Sequence, residues 1–354
     1  MDTSTLTDLY QSTGPFATAL VDVAHDTENG AHEHELRVRA ACDSLREQGA
    51  DDSVVTAVAE RLGEVVHEPA PVARVVVATG DGVLYDQTAS FRVDDTVATW
   101  APLPDLARWI EHRDAVVTFV LATVDHVGGD VGLYRSDLPS PEQLESIEGS
   151  TENIHQVGAT DWGNLNYQHR TENVWAKNAA EVADRISSYV RAGTRLVLLA
   201  GDPRSKSLVR ERLNEAQAAI VELEHGTRNE DGGDGALQQA VREALLEQVV
   251  RQRLERVHEL RERLGRGDGA VSGVDDVADA FVQGQVDTLL LDPGRAADAD
   301  LDVSAHPGLT LPEERLRADQ ALVAAAVLTS AEVSVVPAAA LDGAPVAAVL
   351  RWEA

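Results

Sequence analysis

Gly193-Thr194-Arg195-Leu196-Val197-Leu198-Leu199-Ala200-Gly201-Asp202-Pro203-Arg204-Ser205-Lys206 is the stretch whose reading decides the fold. Leu196–Ala200 is an unbroken apolar run of strand length between turn residues, which predicts a buried strand. Before it, Trp175, Ala179, Val182, Ile186 and Tyr189 recur at helical spacing, and Gly193 ends that helix. After it, Ser205–Ala219 is predicted helix and Ile220–Leu223 predicted strand. Strand and helix alternate, which is the pattern of an α/β sheet.

The same alternation extends in both directions. Ala115–Val124 is a predicted strand, Gly128-Gly129 a two-residue hairpin turn, and a short strand runs on to Tyr134. A loop with Pro139, Pro141 and Gly149 then leads to a polar stretch, Asn153 to Arg170. Nearer the N-terminus, Phe16–Val23, Ala73–Thr79 and Val83–Tyr85 read as strands. Glu33–Gln48 reads as a helix, and Val54, Val55, Val58, Leu62, Val65 and Val66 share the face of another. Beyond residue 226, helices are predicted over Leu237–Leu264, Val274–Gln283 and Pro312–Thr329. Strands are predicted at Val286–Leu291, Glu332–Val336 and Val346–Trp352. The expectation is three consecutive α/β domains: 1–113, 114–225 and 226–354.

Composition limits the function classes. The chain has 354 residues, 44% of them hydrophobic, enough for packed cores. It has no run of 18 apolar residues, so no transmembrane helix and no membrane partner is expected. The polar start Met1–Tyr10 lacks a signal-peptide pattern, so a cytoplasmic location is expected. Cys42 is the only cysteine, which excludes an internal disulfide and a Cys-based zinc site. Sixty acidic against 30 basic residues leave a net charge of −30, and Lys177 and Lys206 are the only lysines. A lysine-poor acidic surface fits a halophilic cytoplasm, where molar salt shortens the Debye length to about 3 Å. At such salt the counterion term in nucleic-acid binding is small, so acidity does not exclude an RNA partner.

Familiar motifs fail on their mechanics. A phosphate loop needs glycine just before the lysine and again five residues earlier, but those places around Lys206 hold Ser205 and Ala200, and Pro203 removes a donor. Gly265-Arg266-Gly267-Asp268-Gly269 lacks a preceding strand and reads as a linker. His32-Glu33-His34-Glu35 spaces its histidines at i, i+2, off one helical face, and reads as a solvated helix start. Cys42 reads as a small buried residue. No Gly-x-Ser-x-Gly elbow occurs. No cofactor and no metal is expected.

One stretch stands out. About one residue in six is acidic, yet Asp161 is the only acid between Asn153 and Thr171. Trp162-Gly163-Asn164-Leu165-Asn166-Tyr167-Gln168-His169-Arg170 carries aromatics, amides and cations, and Lys177 follows. Such side chains suit base stacking and phosphate contact. Pro203–Arg210 is also acid-free and contributes Arg204 and Lys206. The candidate RNA-binding residues are therefore Trp162, Gly163, Asn164, Tyr167, Gln168, His169, Arg170, Lys177, Arg204 and Lys206. A surface loop depleted of acid by chance is the competing reading.

The order of these parts resembles the archaeal and eukaryotic peptide release factor and Pelota superfamily. In that family a strand pair precedes a Gly-Gly-Gln loop and a long helix, matched here by Gly163 through Gln168 and by Asn178-Ala179-Ala180-Glu181-Val182-Ala183. Leu196–Ala200, Gly201 and Lys206 match the next strand, glycine and lysine. Val274–Leu291 and the closing Gly343-Ala344-Pro345 through Trp352 resemble segments of the C-terminal domain. Gly14-Pro15-Phe16-Ala17, His25-Asp26-Thr27, Val124-Asp125-His126 and Tyr134 are similar to the bacterial and archaeal branch that includes mycobacterial and Balon-type ribosome hibernation factors.

The resemblance implies a ribosome-binding hibernation or stress factor. It would occupy the A site and shield the peptidyl transferase centre with the Trp162–Arg170 loop. Its partners would be ribosomal RNA, a translational GTPase at the C-terminal domain, and tRNA. Asn166 and Tyr167 stand where release factors have paired glycines, and residues 1–113 lack Asn-Ile-Lys-Ser, so stop-codon decoding is not expected. The leading reading is non-catalytic. The alternative is a peptidyl-tRNA hydrolase in which Gln168 orients water.

Overall fold

The computed structural model describes residues 1, 3–24, 30–67, 71–138, 140–148, 161–224 and 234–352, with backbone only at 161–172 and 234. Contacts group the chain into two compact units, Met1–Ala115 with Arg251–Ala354, and Val116–Val250. The α/β class expected from the sequence is observed. The segments expected as first and third domains keep separate sheets but fall within one unit.

The N-terminal segment contains α1 (Thr7–Tyr10), β1 (Phe16–Asp22), α2 (Gly30–Glu47), α3 (Asp52–Leu62), β2 (Ala73–Thr79), β3 (Gly82–Ala89), β4 (Val97–Ala101) and α4 (Ala107–Asp114). Its antiparallel sheet has the order β3-β2-β1-β4. Strand side chains alternate between faces, and here both faces are covered. Ala17, Ala19 and Val21 pack with Leu45, Val55 and Val58 of α2 and α3. Phe16 and Leu20 face Trp109 and Ile110 of α4.

The second unit contains β5 (Thr118–Val124), β6 (Gly128–Arg135), β7 (Gln143–Glu148), α5 (Asp161–Arg191), β8 (Leu196–Gly201), α6 (Pro203–Arg210), β9 (Ala219–Glu222) and the first part of α7 (Asp234–Arg266). Its sheet order is β7-β6-β5-β8-β9. β5, β8 and β9 pair in parallel, while β6 pairs antiparallel with both β5 and β7. One face buries Val120, Ala122, Val197 and Leu199 against Val182 and Ile186 of α5. The other buries Phe119, Leu196 and Leu198 with Ala244 of α7. Each buried Val, Leu, Ile or Phe side chain among these contributes about 1.5–3 kcal/mol.

The C-terminal segment adds β10 (Ala270–Ser272), α8 (Val274–Val282), β11 (Val286–Leu291), α9 (Pro293–Ala297), β12 (Asp300–Asp302), β13 (Arg315–Arg317), α10 (Ala318–Leu328), β14 (Glu332–Val335) and β15 (Val346–Leu350). Its main sheet runs β10-β15-β11-β14. This segment and the N-terminal one share a core in which Trp109 and Ile110 join the alanine-rich α10. Ion pairs cross the same boundary: Arg317 Nη1 donates to Asp105 Oδ2 at 2.9 Å, and Arg256 Nη1 to Asp114 Oδ1 at 2.9 Å.

Several local expectations are corrected. Gly128-Gly129 is not the hairpin turn. The turn is Asp125–Val127, closed by Asp125 Oδ1 accepting from the amides of Val127 (2.7 Å) and Gly128 (2.8 Å). Gly129 lies within β6, where a Cβ would sit 3.1 Å from the Thr123 carbonyl and 3.3 Å from Val182. β7 appears where a loop was expected, because an exposed edge strand needs no apolar run. α6 stops at Arg210 instead of continuing to Ala219, and Asn214 Oδ1 accepts from the Ala216 amide in the turns that follow. Val65 lies past the end of α3 and is exposed. His34 is buried rather than solvated, with Nε2 2.8 Å from the Leu62 carbonyl. Cys42 is buried as expected, and burial raises its thiol pKa. His25-Asp26-Thr27 lies outside the described residues. Among the described residues no helix is long and apolar enough to cross a membrane.

Candidate functional site

The site grows from the carboxyl ends of the parallel strands β5 and β8, where α/β sheets commonly place functional groups. The Asp202 amide donates to the Val124 carbonyl at 2.9 Å, bringing the end of β8 beside the turn after β5. Gly201 makes this approach possible. Its φ is +108°, and a Cβ there would lie 2.0 Å from the Val124 oxygen. Asp202 then caps α6, its Oδ2 accepting from the Ser205 amide at 2.8 Å, with Pro203 in the first turn. That carboxylate fills the helix end where a phosphate loop would hold its anion.

His126 stands at the tip of the Asp125–Val127 turn. Its ring stacks on Trp175 of α5, with centroids 4.2 Å apart and planes at 15°. The Arg204 guanidinium lies over the same indole, 5.4 Å from the ring centroid. Asn178, one turn along α5, is buried, and its Nδ2 donates to the His126 carbonyl at 3.0 Å. His126 Nδ1 lies 3.3 Å from Ser205 Oγ and 3.5 Å from Asp202 Oδ2. Burial pushes the Asp202 carboxyl up, but hydrogen bonds from Ser205 and the adjacent His126 outweigh it and hold the group below the usual carboxylate range.

This is not a serine hydrolase triad. In a triad the serine and the carboxylate use opposite nitrogens of the imidazole. Here both lie against Nδ1. The chemistry on offer is recognition: a cation, an indole and an imidazole layered together suit π faces and anions.

The expected site residues divide three ways. Trp162, Gly163, Asn164, Tyr167, Gln168, His169 and Arg170 have no described side chains, but their backbone forms the first turns of α5. The expected loop is therefore helical there. No proline interrupts 161–191, and propagating an established helix costs far less than nucleating one. Lys177 and Arg204 are exposed, as an RNA-facing role requires. Lys206 is a correction. It is buried, and its ammonium donates to the Leu223 carbonyl at 2.7 Å, so it braces α6 against β9 instead of facing a ligand.

Sequence reasoning gave no functional role to His126, Trp175, Asn178, Asp202 or Ser205. Trp175 was legible only as the head of an apolar stripe. The Asp-His pair following a buried strand was the available signal for His126.

Residues 118–266 match the bacterial archaeo-eukaryotic release factor family 2. Over 346 residues the chain is 27% identical to an uncharacterized protein of Mycobacterium tuberculosis, covering 91% of this chain and 89% of the relative. Among solved structures it resembles Archaeoglobus fulgidus Pelota at 12% identity and a TM-score of 0.37, covering 99% of this chain and 92% of that one. It also resembles Saccharomyces cerevisiae Dom34, described as a translation termination-like factor, at 11% identity and a TM-score of 0.42, with the same coverage. The match over 118–266 takes in every residue of the His126 cluster, so it is this segment that is similar to the bacterial archaeo-eukaryotic release factor family 2.

Proposed function

We propose that the protein is a ribosome-binding hibernation or stress factor that occupies the A site and shields the peptidyl transferase centre. The observation that carries this reading is the layered His126–Trp175–Arg204 cluster on the family-matched segment. Trp175 belongs to the same continuous helix as the acid-poor stretch Trp162–Arg170. A helix bearing an indole, an exposed lysine and a neighbouring guanidinium suits RNA in a chain whose carboxylates otherwise outnumber its cations two to one. The absence of triad geometry around Ser205 favours occupancy over hydrolysis at this cluster.

The C-terminal segment is proposed to meet a translational GTPase, on the sequence resemblance given above. Co-sedimentation with vacant ribosomes at matched salt tests the proposal. Arg204→Glu with Trp175→Ala is expected to reduce binding about tenfold or more, since base–aromatic stacking alone is worth about 1–3 kcal/mol. Undiminished co-sedimentation of a folded double variant removes this cluster from the interface.

A further inference from the structure

The unit formed by Met1–Ala115 and Arg251–Ala354 holds a cavity of about 480 Å³ bounded by β1, β4, α4, α7 and the 91–95 loop. That volume falls in the range of small-molecule sites. Part of its wall is apolar: Leu20, Val93 and Val97, with the Phe91 ring stacked on His112 at 3.8 Å and 11°. Trp109 supports this wall from behind, its centroid 5.9 Å from Phe91.

The cations of the cavity are more informative. Arg108 is committed to Glu111, 3.0 Å away. Arg92 and Arg253 also line it, and neither makes a hydrogen bond or ion pair among the described residues. The Nε of Arg253 is closed off from solvent with no acceptor among the described residues. With 60 acidic residues against 30 basic ones, carboxylate partners are plentiful in this chain. Two guanidinium groups left without one among the described residues, at a single cavity, are open to an acceptor from outside. Guanidinium forks match phosphate in a bidentate way. Asp94 and Asp95, exposed on the same loop, are acceptors suited to hydroxyl groups and would repel a bare polyanion.

We propose that this cavity binds a nucleotide. The base packs on the Phe91–Val97 wall, the phosphate engages Arg253 and Arg92, and Asp94 or Asp95 accepts from the ribose hydroxyls. A purely apolar ligand would leave Arg253 unpaired, and inorganic phosphate would leave the wall uncovered, so both halves of the ligand are required. A free nucleoside monophosphate and an unpaired nucleotide of RNA offer the same chemistry. The proposal concerns different residues from the His126 cluster and does not depend on the ribosome reading.

Isothermal titration of the full chain, at one fixed salt concentration where circular dichroism shows it folded, tests this. The probes are AMP, GMP, adenosine, inorganic phosphate and the RNA tetranucleotides of adenosine and guanosine. At least one monophosphate or tetranucleotide is expected to bind about tenfold or more tighter than adenosine or phosphate. Arg253→Gln and Arg92→Gln are each expected to weaken it about tenfold, the scale of one charge-assisted contact. Binding of a monophosphate assigns a free nucleotide, and binding confined to a tetranucleotide assigns RNA. Three results would overturn the proposal: no nucleotide binding, phosphate binding as tightly as the nucleotides, or a folded Arg92→Gln/Arg253→Gln variant that binds like the wild type.

Discussion

Asn178 Nδ2 donates to the His126 carbonyl at 3.0 Å, and one turn earlier in the same helix Trp175 stacks on the His126 ring. Two side chains of α5 therefore hold one residue of the β5–β6 turn by its backbone and by its ring. Asn178→Ala is expected to cost about 1–3 kcal/mol, because it leaves a part-buried carbonyl without its donor. The midpoint of denaturant unfolding measures this. An unchanged midpoint would mean that water replaces the amide without loss.

His306 carries a pH dependence of its own. Nδ1 lies 2.7 Å from Asp279 Oδ1 and Nε2 lies 3.4 Å from Asp275 Oδ1, so both nitrogens face carboxylates of α8. Burial alone would lower the imidazole pKa, but the hydrogen bonds to Asp279 and Asp275 outweigh it and raise the pKa above its ordinary value. A raised folded-state pKa means the contribution is fully present below the unfolded pKa and is lost as pH rises through the folded one. Stability should therefore fall as pH rises above the ordinary histidine range, and His306→Gln should flatten that part of the profile. Identical profiles for the two proteins would exclude His306 as the source.

The net charge of −30 predicts a requirement for salt. At about 0.1 M the Debye length is about 10 Å, and the exposed carboxylates repel one another across the surface. Far-UV circular dichroism followed during dialysis from molar to low salt should show loss of structure. A spectrum that stays constant down to about 0.1 M rules out the halophilic reading.

Shield and hydrolase are separated by which residue of the 162–170 stretch matters. A shield works by occupancy, so Trp162→Ala with Tyr167→Ala should weaken binding to vacant ribosomes while Gln168→Ala leaves it nearly intact. A hydrolase needs an oriented water, and loss of one polar contact in such a site typically costs about 10²–10³ in rate. Peptide release from peptidyl-tRNA, measured beside binding for both variants, decides the matter. Catalytic release by the wild type that Gln168→Ala abolishes would establish the enzyme.

Long apolar runs were legible without any structure. Ala73–Thr79 and Val286–Leu291 match strands β2 and β11, because their runs Val75–Ala78 and Leu289–Leu291 are buried on both faces and such runs are apolar. The stripe Ala179, Val182, Ile186 and Tyr189 is buried on α5 as its spacing predicted, since one face of a helix repeats every 3.6 residues. These signals are local, and so are the failed phosphate-loop spacing and the acid-poor stretch from Trp162 to Arg170.

Tertiary contacts decided the rest. Gln143–Glu148 pairs as the edge strand β7 through backbone hydrogen bonds to β6, a partner its own composition does not specify. The glycine at 201 is explained by its φ of +108° and by the Val124 oxygen 2.0 Å from where its Cβ would be. Lys206 looked like a ligand-facing cation until its ammonium met the Leu223 carbonyl inside the fold. His126, Trp175 and Arg204 lie far apart along the chain and converge because β5 and β8 run parallel and α5 packs across them. Sequence by itself determined where the elements with a clear hydrophobic pattern form, because hydrophobic periodicity acts over a few residues. Which side chains meet depends on strand order and register, and those are set by contacts between residues distant in the chain.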